Sequence, residues 1–310
     1  MKIFALDTSS KVATIGILED EKVLLENTLN DKKTHSENLM PMIEAAFQSV
    51  NLTPKDIDVF GVTIGPGAFT GIRIGISTIK GMAEALGKPV VGLSALEVLA
   101  AGIPPTDRIV CPILDAQRNQ VYAGLYQYRS AEDSENPLPT GREISEADEV
   151  KDAKEGEDAK NTKHGKDTKD TKNAKDTEND KDAIDAKNAA TIAKISQTAT
   201  LTVIRDTEVI KIADLVAVAA KLDKKILFVG DGLKLHEGTL REGLVERFEK
   251  PLFANQIPRA SVVGELTRRK HLEGKSHGAE ELKPVYLRKS QAEVQFDERQ
   301  KVLGKEGSAE

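Results

Sequence analysis

The stretch best suited to chemistry is a glycine-rich loop at residues 65–75, with the sequence GPGAFTGIRIG. The apolar residues 59–64 before it predict a buried strand, and apolar side chains at helical spacing follow it, namely Ile72, Ile76, Ile79, Ala83 and Leu86. Glycine permits positive φ and close backbone approach, and a helix that begins at such a loop offers unpaired N–H groups to an anion or to another backbone. On spacing alone, two interpretations stay open: a ligand loop and a tight, well-packed connection.

Two polar turns that begin with aspartate stand at matching places in the two halves of the chain. Asp7 follows a predicted strand at residues 2–6, and Asp115 follows a predicted strand at residues 108–114. A further strand is predicted after each turn. The second half therefore repeats the plan of the first half, which indicates two related lobes.

Composition and charge exclude several classes of protein. A chain of 310 residues is long enough for two ordinary domains, and its net charge of −6 argues against a broad basic surface for nucleic acid. A single cysteine, Cys111, excludes an internal disulfide framework and suits a reducing compartment. The apolar run at the N-terminus is too short for a signal peptide, and no run of about 20 apolar residues predicts a membrane span. We therefore expect a cytoplasmic protein.

The middle of the chain, about residues 131–198, differs in composition from the rest. It is rich in Lys, Asp, Glu, Asn, Thr and Ala and has almost no large apolar residues, so burial cannot offset the entropy lost on ordering. We expect a disordered insertion, and we predict that deletion of about residues 146–187 leaves the function of the protein intact. A lysine-rich arm for nucleic acid is the alternative, but carboxylates alternate with the lysines and no aromatic side chain is present to stack on bases.

The order of the predicted elements indicates the α/β class. Three strands open the chain as an antiparallel meander, and helices alternate with strands over residues 31–101. Strands and helices return after residue 199. A mixed sheet with helices on its faces is the expected architecture.

Six motifs, in order along the chain, resemble those of the TsaB (YeaZ) family. The glycine loop is the hallmark, with Ala68 where the family usually has serine. The other five are LDTS at residues 6–9, HSENLMP at 35–41, DAQRNQVY at 115–122, VGDG at 229–232 and PVYLR at 284–288. The resemblance covers residues 1–130 and about 200–290, and the inserted tract is foreign to it.

The resemblance implies a two-lobed fold of the actin/Hsp70 type (ASKHA, ribonuclease H-like), with a five-stranded mixed sheet in each lobe. We assign residues 1–105 to an N-terminal lobe that holds the glycine loop and two helices that we expect to contact a partner protein. Residues 106–290 form a C-terminal lobe that the tract at 131–198 interrupts, and residues 291–310 form a flexible tail.

The resemblance further implies a non-catalytic subunit in the biosynthesis of tRNA threonylcarbamoyladenosine (t6A). Such a subunit binds the catalytic paralogue TsaD and supports docking of the ATPase TsaE. It reaches tRNA only through the complex, and it can also form a homodimer. No cofactor and no membrane contact are implied.

The resemblance also places Asp7 and Asp115 where ATPases of this fold hold phosphate and metal. TsaD needs a His-x-x-x-His pair on the helix that begins after the strand near Gly92, but residues 93–99 contain no histidine. Asp7, Asp115, Gly230 and Gly232 are therefore interpreted as remnants of a nucleotide site, and the two aspartates as caps of their own turns. No catalytic residue and no metal site are expected.

Two other functions stay open. One is an ATP-dependent phosphotransferase of the same fold that uses Asp7 and Asp115. The other is a module that binds tRNA directly, which would show steeply salt-dependent binding by this chain alone. The acidic balance of the chain disfavours the second.

Two predicted helices carry apolar faces wider than one sheet needs. In the family, these helices meet the equivalent pair of TsaD or of a second copy. We therefore predict that a partner contacts seven residues, with Gly71 and Gly75 close to its backbone: Met40, Phe47, Gly71, Ile74, Gly75, Thr78 and Met82. The other interpretation is that both faces pack inside the same lobe.

Overall fold

The protein is described here by a computed structural model, which covers residues 1–31, 35–129 and 200–288. These residues form two lobes, each with a five-stranded mixed sheet. The two sheets confirm the predicted α/β fold with two related lobes. The predicted insertion at 131–198 and the predicted tail at 291–310 lie outside the described residues.

The first sheet has the strand order β3-β2-β1-β4-β5. Its first three strands pair antiparallel, and β1, β4 and β5 pair parallel. The strands are β1 (Lys2–Asp7), β2 (Ala13–Glu19), β3 (Lys22–Leu29), β4 (Val59–Gly65) and β5 (Val90–Ser94). The helices among them are α1 (His35–Ser49), α2 (Phe69–Leu86) and α3 (Ala95–Ala101).

The second sheet has the order β10-β9-β6-β7-β8, which is the same topology. Its strands are β6 (Ile109–Asp115), β7 (Gln120–Arg129), β8 (Thr200–Lys211), β9 (Ile226–Val229) and β10 (Phe248–Glu249). Two helices belong to this lobe, α4 (Ile212–Ala220) and α5 (Leu233–Leu244), and α6 (Ala260–Leu272) follows. The repeated strand–turn–strand pattern predicted from Asp7 and Asp115 is therefore confirmed as β1–β2 and β6–β7.

The last helix, α6, departs from the predicted domain boundary. It packs on the first sheet, against β1, β2, β4 and β5. Its Ala260 lies against Gly16, and its Gly264 against Leu18. The assignment of all of residues 106–290 to the C-terminal lobe was therefore wrong, because the chain returns to the first lobe at α6.

The two lobes meet at α3, a short helix with five buried residues among its seven. Its Ala95, Leu96 and Leu99 belong to one apolar cluster with Val110 and Val229 of the second sheet. Burial of this cluster stabilises the junction, since apolar surface is removed from water on both sides of the helix.

The core of the first lobe includes a residue that the sequence suggested as a partner contact. Phe47 of α1 is only 5% exposed, and its ring stacks on that of Phe4, with centroids 5.3 Å apart. Phe47 was therefore wrongly placed at the partner interface. It belongs to the face of α1 that covers the sheet, whereas Met40 on the same helix is 58% exposed.

This difference predicts opposite responses to truncation on one helix. Phe47→Ala leaves a cavity beside Phe4, so the free energy of unfolding should fall by about 3–5 kcal/mol. Met40→Ala removes an exposed side chain and should change it by less than about 0.5 kcal/mol. Urea unfolding followed by circular dichroism measures both. Equal losses in the two variants would contradict this division of α1.

Candidate functional site

The glycine loop packs against the turn that follows β1. The Thr8 hydroxyl donates a buried hydrogen bond of 2.8 Å to the carbonyl of Gly71. A Cβ on Gly71 would overlap the Thr8 carbonyl oxygen, and a Cβ on Gly75 would overlap the Thr8 hydroxyl. Gly71 and Gly75 are both buried by their own lobe. The prediction that they face the backbone of a partner was therefore wrong.

The start of the loop is held by the same turn. The Ala68 N–H donates to the Ser9 carbonyl at 2.6 Å. Gly67 has φ of +156°, and a Cβ there would overlap the same Ser9 oxygen. Of the two interpretations left open for this loop, these contacts support the tight connection.

Asp7 caps the turn after β1, as the turn interpretation predicted. Its carboxylate is fully buried and accepts hydrogen bonds from the N–H and the hydroxyl of Ser9, both at 3.0 Å. Burial raises the pKa of Asp7 because the charged form loses hydration, and the bonds from Ser9 oppose that rise. The carboxylate is occupied with its own turn.

Asp115 has the same role in the second lobe. Its carboxylate accepts the Gln117 N–H at 2.7 Å, and its own N–H donates to the Asp231 carboxylate at 3.2 Å. Desolvation raises the pKa of Asp231, and the nearby charge of Asp115 raises it further. The flanking Gly230 and Gly232 pack on the Ile113 carbonyl, and Gly230 has φ of +112°. These glycines thus allow a close approach of two strand ends.

A cleft of about 680 Å³ separates the two turns. It is bordered by the glycine loop and the Ser9 turn on one side and by Asp115, Gln117 and Asp231 on the other. Asp7 is not among its lining residues. The sequence suggested four residues as remnants of a nucleotide site, and of these Asp115 lines the cleft whereas Asp7, Gly230 and Gly232 do not.

A strap of residues 283–288 crosses the cleft from lobe to lobe. Tyr286 stacks on Phe69 with ring centroids 4.3 Å apart. Arg73 lies 4.1 Å from the Phe69 centroid and donates to the Tyr286 hydroxyl at 2.8 Å. At the end of the strap, Arg288 donates to the Ala116 carbonyl. Sequence reasoning predicted an extended segment here but missed this contact between lobes, because an extended stretch carries no pattern that names its neighbours.

A groove of about 380 Å³ runs between α1 and α2 on the outer side of the first lobe. Three predicted partner residues line it: Met40, Ile74 and Thr78. Met82 is partly buried and packs on the core of the lobe, away from this lining. The full lining set is Ser36, Leu39, Met40, Arg73, Ile74, Ser77 and Thr78. Arg73 thus borders both the groove and the cleft, a role that the sequence did not reveal.

The described part of the chain can be compared with the requirements of a metal site and of a membrane span. No three His, Cys, Asp or Glu side chains there lie close enough to hold a metal ion. Cys111 is buried, and burial raises the pKa of its thiol. Within the same ranges, no helix combines the length and apolarity that crossing a bilayer requires.

The packing of α2 on Thr8 predicts opposite effects of one substitution at two sites. Gly75→Ala forces a Cβ into the Thr8 hydroxyl and should lower the free energy of unfolding by about 1–3 kcal/mol. Gly81→Ala, on the same helix, meets no heavy atom within 4 Å and should raise it by about 0.5–1 kcal/mol. Chemical denaturation of the two variants measures this, and stabilisation by Gly75→Ala would contradict the packing.

The raised pKa of Asp7 predicts a pH dependence with a definite sign. A carboxyl whose folded pKa lies above the unfolded value of 3.8 stabilises the fold most when protonated, and this stability is lost as pH rises through the folded pKa. Asp7→Asn cannot titrate, so its stability relative to the parent protein should increase between about pH 4 and pH 7. Urea midpoints across this range measure the difference. A relative stability that falls with rising pH would show that the charged carboxylate is favoured.

Part of the chain is similar to known proteins. Residues 22–140 match the family model of TsaD, tRNA N6-adenosine threonylcarbamoyltransferase. The protein named TsaB of Bacillus subtilis is 39% identical over 130 residues, which are 42% of this chain and 57% of that protein. TsaB of Escherichia coli is 30% identical over 130 residues, 41% of this chain and 55% of that protein. The matches thus span somewhat more than half the length of these relatives.

Solved structures show the same fold. YeaZ from Pseudomonas aeruginosa aligns with a TM-score of 0.57 at 19% identity, over 92% of this chain and 99% of that chain. A second Pseudomonas aeruginosa protein, described as similar to peptidase YeaZ, aligns with a TM-score of 0.58. The two lobes match those of YeaZ in fold, and a stretch of 130 residues is similar to proteins that carry the name TsaB, so this chain is similar to the TsaB (YeaZ) proteins over part of its length.

Proposed function

We propose that this chain acts in tRNA threonylcarbamoyladenosine biosynthesis as a partner-binding subunit with no chemistry of its own. The pathway comes from the names of the relatives in Bacillus subtilis and Escherichia coli. The observation that carries the proposal is the groove between α1 and α2, which is lined by apolar and small polar side chains, with Met40 largely exposed. Methionine is enriched and acidic side chains are depleted at protein interfaces, and none of the described residues that line this groove is acidic.

The proposed partner is the catalytic paralogue TsaD. The family model that matches this chain is that of TsaD, so the partner carries a related lobe with equivalent helices. Two related helix pairs can then interlock face to face, and a second copy of this chain can occupy the same groove as a homodimer. Docking of TsaE onto the pair, with tRNA reached only through the complex, completes the proposal.

Absence of chemistry in this subunit is supported by how its aspartates are used. Asp7 is buried and is engaged by Ser9, and Asp115 holds the turn through Gln117. The strap also covers the glycine-loop side of the cleft through Tyr286. A phosphotransferase of the same fold remains the second candidate, because Asp115 and Asp231 both border a cleft of about 680 Å³.

The first prediction for this proposal concerns the groove. Thr78→Arg puts a long cation into a partly buried position, so co-purification with TsaD should be lost while the circular dichroism spectrum is unchanged. Glu84→Arg is the matched control, because it adds the same side chain at an exposed position of α2 outside the groove. Unchanged complex formation by Thr78→Arg, or an equal loss of complex in both variants, would contradict the proposal that TsaD binds at the groove.

The second prediction separates the two candidate functions. Isothermal titration of the isolated chain with Mg-ATP should show no micromolar binding, and no phosphate should be released on prolonged incubation. Micromolar binding with turnover, abolished by Asp115→Asn, would favour the phosphotransferase instead.

A further inference from the structure

A second cavity, of about 790 Å³, lies in the second lobe and belongs to neither the groove nor the proposed complex. It opens between the turn after β6, the start of α4 and the first turns of α5, and it adjoins the interlobe cleft only at Asp115 and Gln117. Residues from three separate elements therefore converge on one concave site, which is the usual form of a small-ligand site.

The charged side chains around this cavity are mainly basic. Arg118 and Lys211 both line it, and within the described ranges neither side chain forms a hydrogen bond or an ion pair. Asp115 is the one carboxylate of the lining, and it already accepts the Gln117 N–H. Asp214 lies in the first turn of α4 but not in the lining. On a chain of net charge −6, this is a local site of positive charge.

The start of α4 adds donors to the same place. The N–H of Ile212 donates to the Asn119 carbonyl at 3.2 Å. The N-cap residue Lys211 forms no side-chain hydrogen bond to the first turn of the helix. The next residue, Ala213, borders the cavity. The first N–H groups of a helix have no partner within it and carry partial positive charge, so they attract an anion.

An independent observation comes from His236 on α5. This side chain lines the cavity yet is only 8% exposed. Its Nε2 atom is buried and has no hydrogen-bond partner in the structure. Buried polar atoms without a partner are rare, and a ligand that enters the cavity can supply one.

We infer that this cavity binds a small anion of the phosphate or carboxylate class. Arg118 and Lys211 supply the charge, the N–H of Ala213 supplies a backbone donor, and the imidazole of His236 supplies a hydrogen-bonding group at the wall. The inference does not depend on the α1–α2 groove, so the two can fail separately.

The test is a titration of the full chain with sodium phosphate, and separately with sodium succinate, followed by NMR. Sodium chloride holds the ionic strength constant. The amide signals of Ala213 and Arg118 and the ring signals of His236 should shift together and saturate in the millimolar range. If only one of the two anions produces this response, that anion identifies the class that the site binds.

Matched variants decide whether the response comes from the cavity. The double variant Arg118→Ala/Lys211→Ala should weaken binding by about tenfold, since each lost charged donor is worth roughly a few-fold in affinity. Lys224→Ala removes an exposed lysine beyond the other end of α4 and should leave affinity unchanged. His236→Gln retains a hydrogen-bonding group and should weaken binding less than His236→Leu.

Three outcomes overturn the inference. They are no saturable shift with either anion, an undiminished shift in the double variant, and equal weakening by Lys224→Ala, which would indicate unspecific screening of surface charge. Circular dichroism of each variant verifies that a lost response does not come from a lost fold.

Discussion

The structure depends most on the contact between α2 and the turn after β1. Thr8 lies under the first two turns of the helix, where Gly71 and Gly75 leave no room for a side chain. Its hydroxyl is bonded to the Gly71 carbonyl inside the lobe. Because this contact fixes the rotation of α2 about its axis, it also decides which residues face outward. Arg73, Ile74 and Thr78 then line the groove with α1.

The same turn links the helix to the cleft. Ser9 accepts the Ala68 N–H with its carbonyl and donates to Asp7 with its own N–H and hydroxyl. The loop is thus held by the turn at one end and covered by the strap through Tyr286 at the other. Arg73 contacts both the Phe69 ring and the Tyr286 hydroxyl and also borders the groove, so the groove and the cleft share a residue. The glycine loop therefore helps to fix the position of α2.

Much of this fold could be predicted from the sequence, because its strands are short apolar runs that end at polar turns. The repeat of Asp7 and Asp115 predicted the duplicated topology, and the structure confirms it. The position of α6 could not be predicted, because an amphipathic helix fits either of two open sheet faces equally well. The contact of the strap with the glycine loop could not be predicted either, because Tyr286 and Phe69 are far apart in the sequence and meet only in the folded chain.

The partner residues show where helix periodicity reaches its limit. The spacing of residues along a helix shows which side chains share a face. It does not show whether a face of small residues packs against another chain or against a turn of the same chain. Gly71 and Gly75 meet Thr8, and Phe47 meets Phe4. Met40, Ile74 and Thr78 do line an open groove. The sequence therefore identified the pair of helices that border this groove but divided their faces incorrectly.

We propose above all that the outer side of α1 and α2 is the surface that a TsaD partner covers. Hydroxyl-radical footprinting of this chain, alone and mixed with TsaD, tests it most directly. Met40, which is 58% exposed, should be oxidised several times more slowly in the complex, whereas Phe253 of the region beyond β10, 85% exposed, should react at an unchanged rate. Unchanged oxidation of Met40 together with protection of Phe253 would contradict the claim.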